Sequence, residues 1–184
     1  MVASMFTGDA QRLYGVFSYQ RPEYVDGPYQ DLMFRGHVTY RQFIKIHNFK
    51  ATIPLPLPSC NCVFVELDRA LRAPSLEDRL LAMGRIGGVR LPIASAILHF
   101  SDPDRYAIID ENVLQGMRRV GWKTRQVMQI TRNTAKFYDY YLCKIRETIN
   151  DEVLRCSKEL KVTPLRLVEV CLYVLGKGWD SSAP

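Results

Sequence analysis

Residues 74–100, PSLEDRLLAMGRIGGVRLPIASAILHF, spell two helices and the turn between them. Ser75 offers a hydroxyl where a helix begins, and acids follow in the first turn, the pattern that satisfies free N–H groups there. Leu76, Leu80, Leu81 and Met83 then recur on one side. The Gly87-Gly88 pair stops this helix, and Pro92 suits the first turn of the next, where its missing N–H costs nothing.

The same punctuation predicts helices along most of the chain. One begins near Thr39 and ends at Lys50, in HNFKA. Residues 53–59, IPLPLPS, hold three alternating prolines and are expected to be extended. CNCVFVELDRALRA reads as a helix to about Arg72, although CVFVEL also fits a short strand. Asp102-Pro103-Asp104 is a turn. Asp110 opens a helix that ends near Gly121. A long helix is expected from Thr124 to about Ile149, with a core stripe of Val127, Ile130, Thr134, Phe137, Tyr138, Tyr141, Leu142 and Ile145. Thr163 caps a final helix, Pro164 takes its first position and Gly176 ends it. Before His37 no helical or strand period is legible; its tyrosines and phenylalanines suit packing over a core, or a platform for stacking a base. The expectation is an all-α fold. It forms a single domain over 1–184, with a hairpin-containing lobe at about 36–125 and a second lobe from 1–35 with 126–184.

Hydrophobic residues make up 47% of the 184, enough for a sizeable core. No apolar run approaches the roughly 18 residues of a membrane span, and the N-terminus lacks a leader pattern. Five cysteines at irregular spacing argue against a disulfide scaffold and for a reducing compartment, cytoplasmic or nuclear. Cys60 and Cys62 are the only close pair, without partners at ligand spacing, so neither a metal site nor an iron–sulfur cluster is expected. The net charge is +6, but residues 118–146 alone hold eight basic residues against Asp139, a net of +7. Such a segment is either a solvated helix face or a surface for a polyanion.

Within YAIIDENVLQGM, residues 106–117, an apolar run ends at Asp110. Aspartate is a favoured helix cap, and capping alone would explain it. The glycine turn upstream gives it a second context. A tight turn running into a helix start gathers N–H groups and the positive end of the helix dipole, which together hold a phosphate without reading sequence.

The segment IGGVRLPIASAILHFSDPDRYAIIDENV resembles the core of the helix-hairpin-helix DNA glycosylase superfamily, which includes endonuclease III and the adenine glycosylases. Ile86, Gly88, Val89, Ala94, Ile109, Asp110 and Val113 fall on the family pattern. Asp110-Glu111-Asn112-Val113 stands where adenine glycosylases have Asp-Gly-Asn-Val. The resemblance implies that Asp110 is the catalytic carboxylate, that Asn112 orients it, and that the hairpin of Gly87, Gly88, Val89 and Arg90 grips the DNA backbone. A monovalent cation at the hairpin carbonyls is implied as well. No other cofactor is required.

The departures are specific. The lysine of strand-cutting relatives falls on Pro92, which cannot form a Schiff base, so base removal without lyase chemistry is expected. Arg90 replaces the second hairpin glycine. The N-terminal glutamate of adenine glycosylases has no counterpart. Lys50 falls where relatives place a loop that enters the duplex or lines the pocket, and Arg118, Arg119, Lys123 and Arg125 would track the backbone. The expectation is a monomeric, monofunctional DNA glycosylase. Its alternatives are a non-catalytic helix-hairpin-helix module that binds DNA, and a helical interaction protein in which these features are structural.

Overall fold

The computed structural model describes residues 9–25, 27–34, 37–50, 60–126 and 129–179. Among them every regular element is helical: α1 (Ala10–Gln20), a 3-10 turn (Pro22–Tyr24), α2 (Gly27–Gln30), α3 (Tyr40–Lys50), α4 (Cys60–Arg72), α5 (Leu76–Met83), α6 (Leu91–Ser101), α7 (Glu111–Arg119), α8 (Arg132–Thr148), α9 (Asp151–Glu159) and α10 (Pro164–Lys177). The all-α expectation therefore holds. The proline-rich stretch, Val127 and the side chains of Cys60 and Cys62 lie outside the described residues.

The caps explain where the expected boundaries hold and where they move. The Ser75 hydroxyl accepts from the Asp78 N–H and starts α5 as expected. CVFVEL is helical, within α4. The long helix does not begin at Thr124. Thr131 and Thr134 form a reciprocal capping box that starts α8 one residue later. Gly176 does not end α10, which runs on to Lys177 and closes at Gly178, whose φ is +67°. Three helices were not foreseen: α1, the short α2 and α9. α1 hides its period behind interleaved polar residues, and α9 is capped by the Asn150 side chain, which accepts from the Val153 N–H.

α6 is the central helix. Residues 93–100 are all buried, so it is apolar all round as a core helix must be. It packs against α3. α10 packs along α7 and also meets α1, α8 and α9. Two glycines make the α7–α10 contact: a methyl on Gly116 would sit 1.9 Å from the Leu172 carbonyl oxygen, and one on Gly176 would sit 1.7 Å from that of Asn112. The backbones touch where any side chain would separate them. One buried core extends from Leu13 in α1 to Val174 in α10.

Candidate functional site

From Ala107 to Ile109 the chain crosses the core outside any helix, and all three residues are fully buried. Backbone groups so placed must find partners, and side chains from three helices supply them. The Tyr138 hydroxyl donates to Ala107 O at 2.7 Å, and the Tyr141 hydroxyl to Ile108 O at 2.8 Å, both from α8. Glu169 of α10 accepts from the Ile108 N–H at 2.8 Å. Ser95 of α6 accepts from the Ile109 N–H at 3.1 Å, and His99 Nδ1–H donates to Tyr106 O at 2.8 Å. His99 is a packed histidine of the core. Burial, reinforced by the Arg166 charge, lowers its pKa to about 3, so it stays neutral. Because His99 pairs with Tyr106 and Ser95 with Ile109, the segment runs antiparallel to α6 and delivers Asp110 toward the glycine-turn end of that helix.

Asp110 is the N-cap of α7. Its Oδ1 accepts from the Val113 N–H at 3.0 Å. Its Oδ2 lies 2.8 Å from Nζ of Lys50, the last residue of α3, and the two side chains are 17% and 10% exposed. Burial acts to raise the carboxyl pKa. The Lys50 charge and hydrogen bond and the N–H groups of Val113 and Asn112 outweigh it and hold the pKa below its ordinary value. Asp110 is thus a cap and also an ionised carboxylate at the edge of the core. Asn112 contributes through its backbone. Among the described residues its side chain makes no hydrogen bond to Asp110.

Several groups that sequence reasoning did not single out border this pair. Phe49 has the Lys50 ammonium 5.3 Å from its ring centre and Tyr24 at 4.3 Å between ring centroids. The Arg21 guanidinium covers the Tyr24 ring at 4.0 Å and donates to the Tyr173 hydroxyl at 3.1 Å. Burial raises the Tyr173 pKa, and the Asp110 charge adds to it. Of the tyrosines before His37, Tyr14 and Tyr29 are core, whereas Tyr24 packs on Phe49, the neighbour of Lys50. Arg21 and Tyr173 had no legible signal, because 152 residues separate them in sequence.

The glycine turn joins α5 and α6 across residues 84–90. The Val89 N–H donates to Ile86 O at 3.0 Å, and Gly88 takes φ +84°, a conformation that favours glycine. Val89 is buried, while Gly87 and Arg90 are exposed. Arg90 is the N-cap of α6 and makes no side-chain capping bond. Pro92 lies in the first turn. The connector after α7 returns to this end, with Ile130 against Gly84.

The proposed DNA-facing residues differ in their freedom. Lys50 belongs to the Asp110 site and not to an open surface. Arg118 binds the Thr124 hydroxyl at 3.1 Å and lies 3.5 Å from Glu111. Arg119 lies beside Gly178. Lys123 and Arg125 are exposed, and like Arg85 and Arg90 they have no ion pair among the described residues. Trp122 is buried, as packing required. Among the described residues no cluster of His, Cys, Asp or Glu could hold a metal ion, and no helix is long and apolar enough to cross a membrane. No protein-family model, curated protein or solved structure matches the chain.

Proposed function

We propose that the protein is a DNA glycosylase that hydrolyses the bond between a damaged or modified base and its sugar. One observation carries this reading: Asp110 is an ionised, partly exposed carboxylate, bound to Lys50 at 2.8 Å and fixed by its own helix cap. Loss of the base builds positive charge on the sugar, and a carboxylate held against it lowers the barrier. The same group orients the attacking water and takes its proton. The target nucleotide must first leave the stack. The turn carrying Gly88 and Arg90 would hold the backbone phosphate, with Arg85, Lys123 and Arg125 adding positive charge. The carbonyls of Gly87 and Gly88 accept no hydrogen bond among the described residues, so they suit a monovalent cation between the turn and a phosphate. Such an ion would supply charge neutralisation there.

Lys50 favours a second reading. Pro92 cannot attack the sugar, but an amine from α3 stands beside the carboxylate. Having given a proton to Asp110, the neutral amine would attack C1′ and displace the base, which leaves with a proton; opening of the sugar ring would give a Schiff base, and β-elimination would expel the 3′ phosphate and cut the strand.

One experiment tests both. Duplexes carrying single damaged or modified bases are incubated with the protein, then analysed with and without alkali and after borohydride reduction. Strand cutting only after alkali, lost in Asp110→Asn while DNA binding persists, is the expected result. Cutting without alkali, with a borohydride adduct mapped to Lys50, establishes the second reading. Base release retained in Asp110→Asn removes the carboxylate from the chemistry. Salt-sensitive binding without release from any duplex leaves a non-catalytic DNA-binding module.

A further inference from the structure

A cavity of about 710 Å³ opens at the other end of α6, away from Asp110. Tyr29, Phe34 and Phe100 give it an aromatic wall, and Arg166, in the first turn of α10, lines it. Arg166 is only 6% exposed. It lies between the rings of Tyr29 and Phe17, with its carbon centre 4.8 and 5.4 Å from their centroids. Its Nη1 is bound to Glu169, but its Nη2 is buried and has no hydrogen-bond partner among the described residues. A buried charged donor without an acceptor is costly, and native proteins seldom leave one so.

Two further features point the same way. Thr163 caps α10, a helix of 14 residues, and lines the cavity, so the positive end of a helix dipole faces it. Lys161 reaches the lining from a left-handed backbone position, φ +55°, and has no ion pair among the described residues. Asp102, Asp104 and Lys161 stand toward the exposed side, Asp102 already 4.0 Å from Arg105, so the mouth carries both signs and Arg166 is the buried cation of the lining.

We infer that this cavity binds a small molecule bearing a carboxylate or phosphate, with the oxyanion on Arg166 and an apolar body against Phe34 and Phe100. Phe34, Phe100, Lys161 and Arg166 make no hydrogen bond or ion pair with Asp110 or Lys50 among the described residues; Glu169 alone is shared, binding Arg166 and accepting from the Ile108 N–H, so the titration of the unaltered protein separates this inference from the proposed glycosylase activity.

The test uses the full chain labelled with ¹⁵N, following the arginine side-chain signals during titration at constant ionic strength. Sodium benzoate is expected to shift the Arg166 signal saturably. Acetate, which lacks the ring, should bind roughly tenfold more weakly. Benzamide, which keeps the ring without the charge, should produce no shift. Lys161→Ala, at an exposed position, should weaken benzoate about threefold. Competition by inorganic phosphate assigns the natural oxyanion as a phosphate, and failure to compete assigns a carboxylate. Arg166→Gln should abolish binding; should its folding fail, the titration of the unaltered protein decides alone. No saturable shift with either benzoate or phosphate, or an equal shift with benzamide, overturns the inference and leaves a water-filled crevice.

Discussion

At the scale of single residues, the chemistry of the Asp110 site rests on a balance of burial against pairing. Burial favours the neutral acid, and Lys50 favours the anion and wins. Base release that needs the anion should therefore persist at pH values where ordinary carboxylates are protonated. Replacing Lys50 with Met removes the opposing charge and leaves burial to act, so the acid limb of the pH–rate profile should move to higher pH. The same change should cost about 2 kcal/mol, since a partly buried carboxylate loses its partner. The pairing stabilises the fold above the unfolded carboxyl pKa, and that contribution is lost as pH falls through the depressed folded value. An acid limb that stays in place in Lys50→Met would separate the lysine from the carboxylate's ionisation. His99 works with the opposite starting charge. It stays neutral when folded down to about pH 3, whereas an unfolded histidine takes up its proton near 6.5. Stability should thus fall with pH between these values, by up to about 1.4 kcal/mol per pH unit from this residue. Denaturant unfolding at several pH values should show a shallower fall in His99→Gln; an equally steep fall would mean that His99 gains its proton in the native state.

At the scale of elements, α7 and α10 decide where Asp110 stands. Gly116 and Gly176 bring the two backbones into contact, and the latter touches Asn112, two residues from the carboxylate. Gly176→Ala gains under about 1 kcal/mol in helix propensity. It also forces a methyl into a carbonyl oxygen that cannot yield without moving α7. The net effect should be a loss of about 3 kcal/mol, with base release reduced beyond what lost folding explains. A melting temperature equal to the parent's would show that α7 moves freely. This contact also shows why some of the architecture was unreadable from the sequence. Ser75, Pro92 and Asp110 act on their own next turn, so spacing revealed them. Gly176 resembled a helix stop because glycine so often is one. Its actual reason is a backbone sixty-four positions away, and no local pattern encodes such a distance. The buried Tyr106–Asp110 segment is similar: its apolar letters were visible, but Tyr138, Tyr141 and Glu169, which hold it, read as ordinary helix residues.

At the scale of the molecule, the positive stretch 118–146 divides into charges that are ion-paired and charges that are not. Read along the chain it is one block of net charge +7. In three dimensions parts of it are answered: Arg118 lies 3.5 Å from Glu111, Arg132 lies 3.5 Å from Glu77, and Lys144 pairs with Glu147. Arg119, Lys123, Arg125, Lys136 and Arg146 make no ion pair among the described residues; Lys123 lies against Tyr140 of α8, and the connector beyond Arg125 leads back to the glycine turn, where Arg85 and Arg90 are also unpaired among the described residues. Arg132 is answered by Glu77, fifty-five residues away, a pairing that charge counting along the sequence cannot show. On the glycosylase reading a polyanion approaches the turn, where Arg85 and Arg90 are exposed and unpaired among the described residues. Each phosphate contact releases counterions, which makes affinity fall linearly with the logarithm of salt concentration, with a slope of about one per contact. Arg90→Glu with Arg125→Glu should weaken duplex binding at low salt and reduce that slope by about two, whereas Lys144→Glu, which alters an already paired charge, should change it little. Titrations of duplex at several salt concentrations measure both quantities. A slope lowered by Lys144→Glu and untouched at the turn would place the DNA along α8 and detach the turn from phosphate binding, and with it the approach of DNA to Asp110 on which the glycosylase reading depends.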